Sequence, residues 1–476
     1  MGSTAAHHNP AAPARNASHS DESPRPMVSD LLTGWGRTAP TRPGRVERPS
    51  SAADVGTLLP GADRRGAIAR GLGRAYGDAA QNAGGLVIEA GGINEIVDVD
   101  AVNRTATVDA GVPLREVIRR TLPLGLFPAV TPGTELVTVG GAIACDVHGK
   151  NHHVDRALCA HVESFDLVTP TGETMHVDRD GHRDEFWATA GGMGLTGVLT
   201  RATIGLLPVE TAWMSVDVER ASDLDDALSR FGSDADYRYS VAWIDCLARG
   251  SRLGRSVLIR GNHARLEELP VARRTSALHV HSRRRASAPP WVPPGLVNRL
   301  TISAFNELYF RRAPALERGR LTPLHAFFYP LDAIEGWNRL YGPRGFLQYQ
   351  FVVPFGAEET LRQAIERLSG AGCASFLAVL KRLGAEQGLI SFPMPGWTLS
   401  LDLPAGHDGL ASLLDELDEL VAGSGGRVYL AKDSRLRPDL LEVMYPRLEE
   451  WQEIQARLDP RGVMRSDLSR RLGLVA

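Results

Sequence analysis

Between about residues 45 and 205 the chain alternates short apolar runs with glycine-bearing breaks. GAIAR, GGLVIEA, IVDVDAVNRTATVDAGV and ESFDLVTPTGETMHV place apolar and β-branched residues at alternate positions between turn signals, which predicts strands. PLREVIRRTLPLG carries apolar residues at helical spacing and stops at Gly125, a residue able to take the left-handed conformation that closes a helix. DEFWATAGGMGLTGVLTRATIGLLP predicts a helix, a glycine-rich turn and a long strand. After about residue 210 the pattern changes. Strands such as WMSVDVE and YSVAWIDCLA alternate with helices such as DLDDALSRF and AEETLRQAIERLSG, which predicts an α+β unit. The last stretch, from RVYLAKDSR onward, opens as a strand and continues as helices.

Composition narrows this picture. At 476 residues the chain is too long for one ordinary core, so two domains of roughly 200 residues are expected. Hydrophobic content of 43% with 23% charged residues describes a globular protein. A net charge of −3, without a basic stripe, argues against nucleic-acid binding. Cys145, Cys159, Cys246 and Cys373 are too scattered for a disulfide framework and read as thiols. No apolar run approaches the roughly 20 residues of a membrane span, and the first residues lack the apolar segment of a secretory signal. Their Ala, Pro, Ser and His content predicts a disordered tail over residues 1–28.

One count singles out three positions. Of 53 basic residues, only Lys150, Lys381 and Lys432 are lysines; the other 50 are arginines. A lysine kept in so arginine-rich a chain marks a place that needs a compact ammonium with a movable pKa, which a guanidinium cannot supply.

Three glycine-rich stretches carry the chemistry. ARGLGRAYGDAAQN, from Ala69, follows a predicted strand and can turn backbone N–H groups toward a phosphate. Its spacing is GxGxxxG, not the GxGxxG that opens a dinucleotide-binding helix. TPGTELVTVGGAIACDVHGKNHH, from Thr131, offers two side-chain-free approaches within ten residues and small residues on which a flat cofactor can lie. AGGMGLTGVLTRATIGLLP, from Ala190, is the third. The histidines His148, His152 and His153 lack a predicted helix and a partner Cys or carboxylate motif, so no metal site is assigned.

In this order and in one β-rich domain, the three loops resemble the FAD-binding domain of the vanillyl-alcohol oxidase and p-cresol methylhydroxylase superfamily. GLGRAYGDAAQN, GGAIACDVHGKNHH, FLQYQFVVP, SFPMPGWTLSLDLP and YLAKDSR are together closely similar to the decaprenylphosphoryl-β-D-ribose 2′-oxidases, from about Leu31 to the C-terminus. The resemblance implies an α+β, two-domain flavoprotein. Its FAD-binding domain would span residues 29–209 and its substrate-binding domain 210–425, with a mobile loop at about 264–300. Residues 426–476 would complete the cofactor and active-site region. It also implies a polyprenyl-phosphate sugar substrate, oxidised at the ribose 2′-hydroxyl, and a partner keto-reductase that completes epimerisation to an arabinose donor for cell-wall arabinans. Cell-envelope association with peripheral membrane contact follows, on the cytoplasmic or the periplasmic side.

By the same resemblance, Arg70, Gly71, Leu72, Gly73, Arg74, Ala75, Tyr76, Gly77, Asp78, Gly133, Thr138, Val139, Gly140, Gly141, Cys145, Asp146, Val147, His148, Val198 and Tyr429 would contact FAD. Ala75 stands where many relatives attach the flavin covalently to a histidine, so the FAD is expected to be dissociable. Lys432, Tyr76 and His148 are the candidates for the proton of the reacting hydroxyl, because Lys can be tuned toward neutrality by burial. Lys150, Trp243, Gln348, Gln350, Lys381 and Ser400 would line the substrate site. Gln348 and Gln350 alternate along one strand and so present two amides on one face. Ser400 is a departure: mycobacterial members have there the cysteine that nitroaromatic inhibitors capture. Two other readings stay open, an alditol or sugar-lactone oxidase acting on soluble sugars and a flavin-binding partner without turnover.

Overall fold

The computed structural model describes residues 1–2, 31–279, 286–289, 291–292, 295, 297–373, 375 and 377–475. The expected N-terminal tail lies almost wholly outside them, as does part of the 264–300 segment. Within that segment Ala264, Leu269 and Ala277 are buried against Trp213.

Two sheets build the first half. Strands Arg45–Glu47, Leu86–Glu89 and Ala67–Arg70 form a parallel three-stranded sheet with the second in the middle. An antiparallel sheet runs in the order Ile96–Asp100, Thr105–Asp109, Val198–Pro208, Val162–Val168, Thr174–Asp178, and Leu126–Pro128 also pairs with the long central strand. The predicted helix forms over Leu114–Thr121, and Gly125 closes the following turn at φ 74°. Between the loops, the helix Val139–Ala144 buries Val139, Ala142 and Ile143 in the core of the antiparallel sheet.

The second half is organised by one fully antiparallel eight-stranded sheet. Its order is Leu316–Pro323, Trp213–Ala221, Ser256–His263, Tyr239–Ile244, Ala378–Leu383, Gly396–Pro404, Phe346–Pro354 and Arg427–Val428. One face of its centre packs on the helices Glu358–Ala371 and Leu410–Gly423 through Leu361, Ile365, Leu414 and Leu417. Alternation along the strands sends the other side chains to the opposite face, toward the glycine-rich loops.

The chain end returns to the first half. Val463 and Arg465 bracket Ala67 with backbone hydrogen bonds of 2.8 and 2.9 Å. Asp467 accepts from Thr41 and from the Ala83 N–H. The C-terminal helices therefore tie the glycine-rich loops to the edge of the large sheet.

Candidate active site

A cavity of about 590 Å³ separates the glycine-rich loops from the free face of the eight-stranded sheet. That size falls within the range of ligand pockets. Gly71, Gly73, Gly133, Gly140 and Gly141 expose bare backbone to it from one side; Trp243, Gln348, Gln350, Lys381 and Ser400 reach it from the sheet. Leu72, Arg74, Ala75, Tyr76, Thr138, Cys145, Val147, His148, Lys150, Tyr429 and Lys432 also line it. Arg70, Gly77, Asp78, Val139, Asp146 and Val198 do not. Each of these six has a supporting task behind the wall. The Arg70 guanidinium donates to the Thr33 and Ala80 carbonyls. Asp78 is gripped by Arg471, Val139 and Val198 are core, and buried Asp146 accepts from the Cys159 N–H, Gln387 and Ser391.

Two segments distant in sequence are locked together at the centre. The Tyr76 N–H donates to the Ala431 carbonyl at 3.1 Å, and a Cβ on Gly77 would stand 1.8 Å from the Asp433 carbonyl oxygen. Only glycine permits that approach. Tyr429 adds a third tie, its hydroxyl donating to the Cys145 carbonyl at 2.8 Å. The turn that follows Tyr429 consequently holds the Lys432 ammonium 3.9 Å from the centre of the Tyr76 ring, a cation–π contact.

Strand register assembles the polar groups of the sheet. Gln348 pairs with Asp402 and Gln350 with Ser400, so all four share one face. Gln348 donates to Asp402 at 2.5 Å. Asp402, wholly buried, was not singled out from sequence, although it lies two residues from Ser400 inside a matched motif. Burial pushes the Asp402 carboxyl up, while Gln348, Lys432 and Tyr341 hold it down. Burial pushes the Lys432 ammonium down, Asp402 opposes that, and Lys381 reinforces it.

Hydrogen-bond direction defines the state of His148. Thr398 donates to the Phe351 carbonyl at 2.8 Å, so its oxygen accepts from Gln350 Nε2 at 3.2 Å. The same amide nitrogen donates to His148 Nε2 at 3.0 Å. His148 is thus a neutral imidazole with its proton on Nδ1, and burial, with Lys381 nearby, drives its pKa well down. That buried Nδ1 has no partner among the described residues. Farther along, His152 Nδ1 accepts the Gly384 N–H at 2.9 Å, fixing the end of the strand that bears Lys381. His153 bonds the Tyr237 carbonyl, away from the cavity. Among the described residues no group of three metal-binding side chains forms.

The three lysines meet here. Lys150 donates to the Phe327 carbonyl and lies over the Phe327 ring; burial, then Lys381, lowers it to about 7. Burial lowers Lys381 to about 8. Their stems are packed and their tips enter the cavity, an arrangement that asks for an anion. On the sheet side Trp243 is buried against Tyr309, with ring centroids 4.6 Å apart. Tyr309 and Phe327 also line the cavity, and sequence reasoning missed both. Nothing in their apolar surroundings distinguishes them from core aromatics until the chain is folded.

A dinucleotide fits this cavity. The glycine-lined wall gives room for close backbone approach, and two buried donors, His148 Nδ1 and Arg74 Nε, lack partners among the described residues. A family model of FAD-binding domains matches residues 43–178, and one of D-arabinono-1,4-lactone oxidase matches residues 407–472. Fold and site define an FAD-dependent oxidoreductase that oxidises a CH–OH group of a sugar or alditol. A decaprenylphosphoryl-β-D-ribose oxidase of Mycolicibacterium smegmatis is 43% identical over 456 residues, covering 94% of this chain and 99% of that protein. The chain belongs to that oxidase family. Other relatives match a smaller share of the chain: cytokinin dehydrogenase 2 of Arabidopsis thaliana is 29% identical over 39% of this chain and 38% of its own. L-gulono-1,4-lactone dehydrogenase of Mycobacterium tuberculosis is 27% identical over 39% of this chain and 42% of its own. Among the described residues no helix is long and apolar enough to cross a membrane.

Proposed function

We propose that the protein oxidises the 2′-hydroxyl of decaprenylphosphoryl-β-D-ribose to the 2′-keto sugar. This is the first half of an epimerisation that a partner keto-reductase completes to the arabinose donor for cell-wall arabinan. The observation that carries this reading is the meeting of Lys432, Tyr76 and the Gln348–Asp402 pair with two cavity-facing lysines, Lys150 and Lys381, opposite the glycine-rich wall. A proton acceptor, hydroxyl-binding amides and anion-binding ammoniums thereby share one space.

FAD, when bound, takes up the hydride of the carbinol carbon. The residues of the chain handle the hydroxyl proton and hold the sugar. His148 Nε2 is already occupied by Gln350, and its Nδ1 carries the proton, so it serves as a donor. Burial, and then Asp402, keeps Tyr76 a phenol, its pKa raised well above the ordinary value. Lys432 is left as the acceptor, because burial brings its neutral form within reach at physiological pH. Asp402 stabilises the ammonium that forms. Gln348 and Gln350 bond sugar hydroxyls, and the ammoniums of Lys150 and Lys381 receive the phosphate. Ala75 offers the flavin no nucleophile, which supports dissociable FAD.

The test is anaerobic bleaching of the purified yellow protein. Bleaching with lipid-phosphoribose but not with free alditols, lost in Lys432→Ala, supports this reading. The lactone-oxidase match over residues 407–472 favours a second reading, an oxidase of soluble sugars, and bleaching with free alditols or sugar lactones selects it.

A further inference from the structure

We propose that a second cleft, behind residues 145–148, binds a small hydroxylated phosphate ester, and that its occupancy is felt at the flavin. The cleft has a volume of about 320 Å³, at the lower end of the range of ligand pockets. It lies between the helices Arg183–Thr189 and Leu448–Leu458 and the loop of residues 386–389. None of its lining residues lines the FAD cavity. The half-buried Trp187, with Leu389 and Ile454, gives it an apolar side.

The charges of the cleft do not balance. Each carboxylate that lines it already has an arginine: Glu450 pairs with Arg447 at 2.7 Å, Glu386 with Arg427 at 2.7 Å and Asp184 with Arg457 at 3.6 Å. Arg156 and Arg183 line it too, and neither guanidinium has a hydrogen bond or ion pair among the described residues. Arg156 holds its place at φ 63°, in the left-handed region that favours glycine. Two uncommitted positive charges match a phosphate monoester, which carries about −1.5 to −2 at neutral pH, better than a single carboxylate. The guanidinium fork suits phosphate oxygens, and the indole face receives the body of the ester.

Gln387 joins the cleft to the cofactor wall. It is 8% exposed, and its amide nitrogen donates to both Asp146 carboxylate oxygens, at 3.2 and 3.4 Å. Its amide oxygen has no partner among the described residues, so it lacks a donor that a hydroxyl of the ester supplies. Asp146 stands at φ 38° between Cys145 and Val147, both of which line the FAD cavity. Just past the cleft, Ser391 donates to the same carboxylate, and the Phe392 ring stacks on Tyr429 and lies 5.4 Å from the His148 ring. Residues 386–392 thus touch the cleft at one end and the cofactor wall at the other, with Gly388 at φ 73° as a joint between them. A ligand that draws the Gln387 amide toward itself loosens its grip on Asp146, and the backbone beside the flavin shifts.

Calorimetry of the full-length FAD-loaded protein tests this, with adenosine monophosphate, ribose 5-phosphate and inorganic phosphate as probes and the flavin absorbance recorded in parallel. The expected result is saturable binding of an ester with a Kd below about 1 mM, weaker for inorganic phosphate and weakened by salt. Tighter binding of adenosine monophosphate assigns Trp187 to a base; equal binding of the two esters assigns it to a sugar. The double variant Arg156→Ala/Arg183→Ala, altered only at exposed positions, should lose at least about tenfold in affinity, whereas Lys150→Met/Lys381→Met, in the FAD cavity, should keep it. Saturation should shift the flavin band, and Gln387→Met should retain FAD and lose that shift. No saturable binding by the wild type, or wild-type affinity in the arginine double variant, overturns the site. Saturation without a change in the flavin band overturns the link through Asp146. No lipid substrate enters the experiment, so failure here leaves the proposed reaction untouched.

Discussion

Replacing Lys381 by methionine is expected to make the protein more stable and a poorer enzyme, with a stability gain that depends on pH. Lys381 lies on the strand Ala378–Leu383, and burial alone, with no carboxylate opposing it among the described residues, shifts its pKa. Burial lowers its pKa from 10.5 to about 8. That difference corresponds to roughly 3 kcal/mol in favour of the neutral form. The sign follows from the order of the two values. Below pH 8 both the folded and the unfolded chain hold the proton, and the folded state bears the full cost of the buried charge. Between pH 8 and 10.5 the unfolded chain keeps a proton that the folded one has released, so stability rises with pH. Lys381 is only partly buried, and its residual solvent exposure reduces the cost, so Lys381→Met should gain about 1–3 kcal/mol at pH 6.5.

The gain should shrink toward zero as the pH approaches 10. At about 2.1 cal/mol/K per residue it corresponds to a melting-temperature rise of about 1–3 °C, read by thermal unfolding of the substrate-free protein across this pH range. The same variant should raise KM for the phospho-sugar while leaving flavin content unchanged. A destabilisation of equal size at pH 6.5 and 9.5 would refute the reasoning, because it would mean that Lys381 contributes packing or a partner rather than an uncompensated charge.

Other outcomes follow from the same geometry. Because the Asp402 carboxylate opposes the lowering of the Lys432 pKa, Asp402→Asn should move the acid limb of the kcat/KM profile to lower pH; a shift toward higher pH contradicts the pairing. Ser400 lacks an acidic thiol, so intact mass should show no adduct after turnover with a nitroaromatic inhibitor, whereas Ser400→Cys should acquire one. Arg471 bonds Asp78 at 2.9 Å and stands 2.9 Å from Asp433, next to Lys432. Arg471→Ala should therefore cost roughly 3 kcal/mol in urea unfolding, with a loss of kcat that Arg471→Lys only partly restores.

The strands of the first half were legible because a half-buried strand repeats every two residues, whatever its partners. The glycine-rich stretches were legible because backbone approach to a cofactor tolerates few other residues. The three lysines stood out against the arginine background, and all three reach one cavity. Sequence reasoning missed Asp402 because its role depends on register: only the pairing of Phe346–Pro354 with Gly396–Pro404 places it against Gln348. The state of His148 was equally hidden, since it follows from a relay through Thr398 and Gln350 that joins three separate segments.

The sequence by itself determined the kinds of element and singled out the glycine-rich loops and the three lysines, because these depend on local periodicity and side-chain chemistry. The tertiary structure alone decided which residues face one another. Tyr76 and Lys432 lie more than 350 positions apart in the chain, and their contact exists because Gly77 lets the Asp433 backbone approach and because the C-terminal segment folds back on the first sheet. The pKa shifts have the same origin. A lysine side chain carries an ordinary ammonium in water, and only burial, reinforced by Lys381 and opposed by Asp402, lowers Lys432 into a working range.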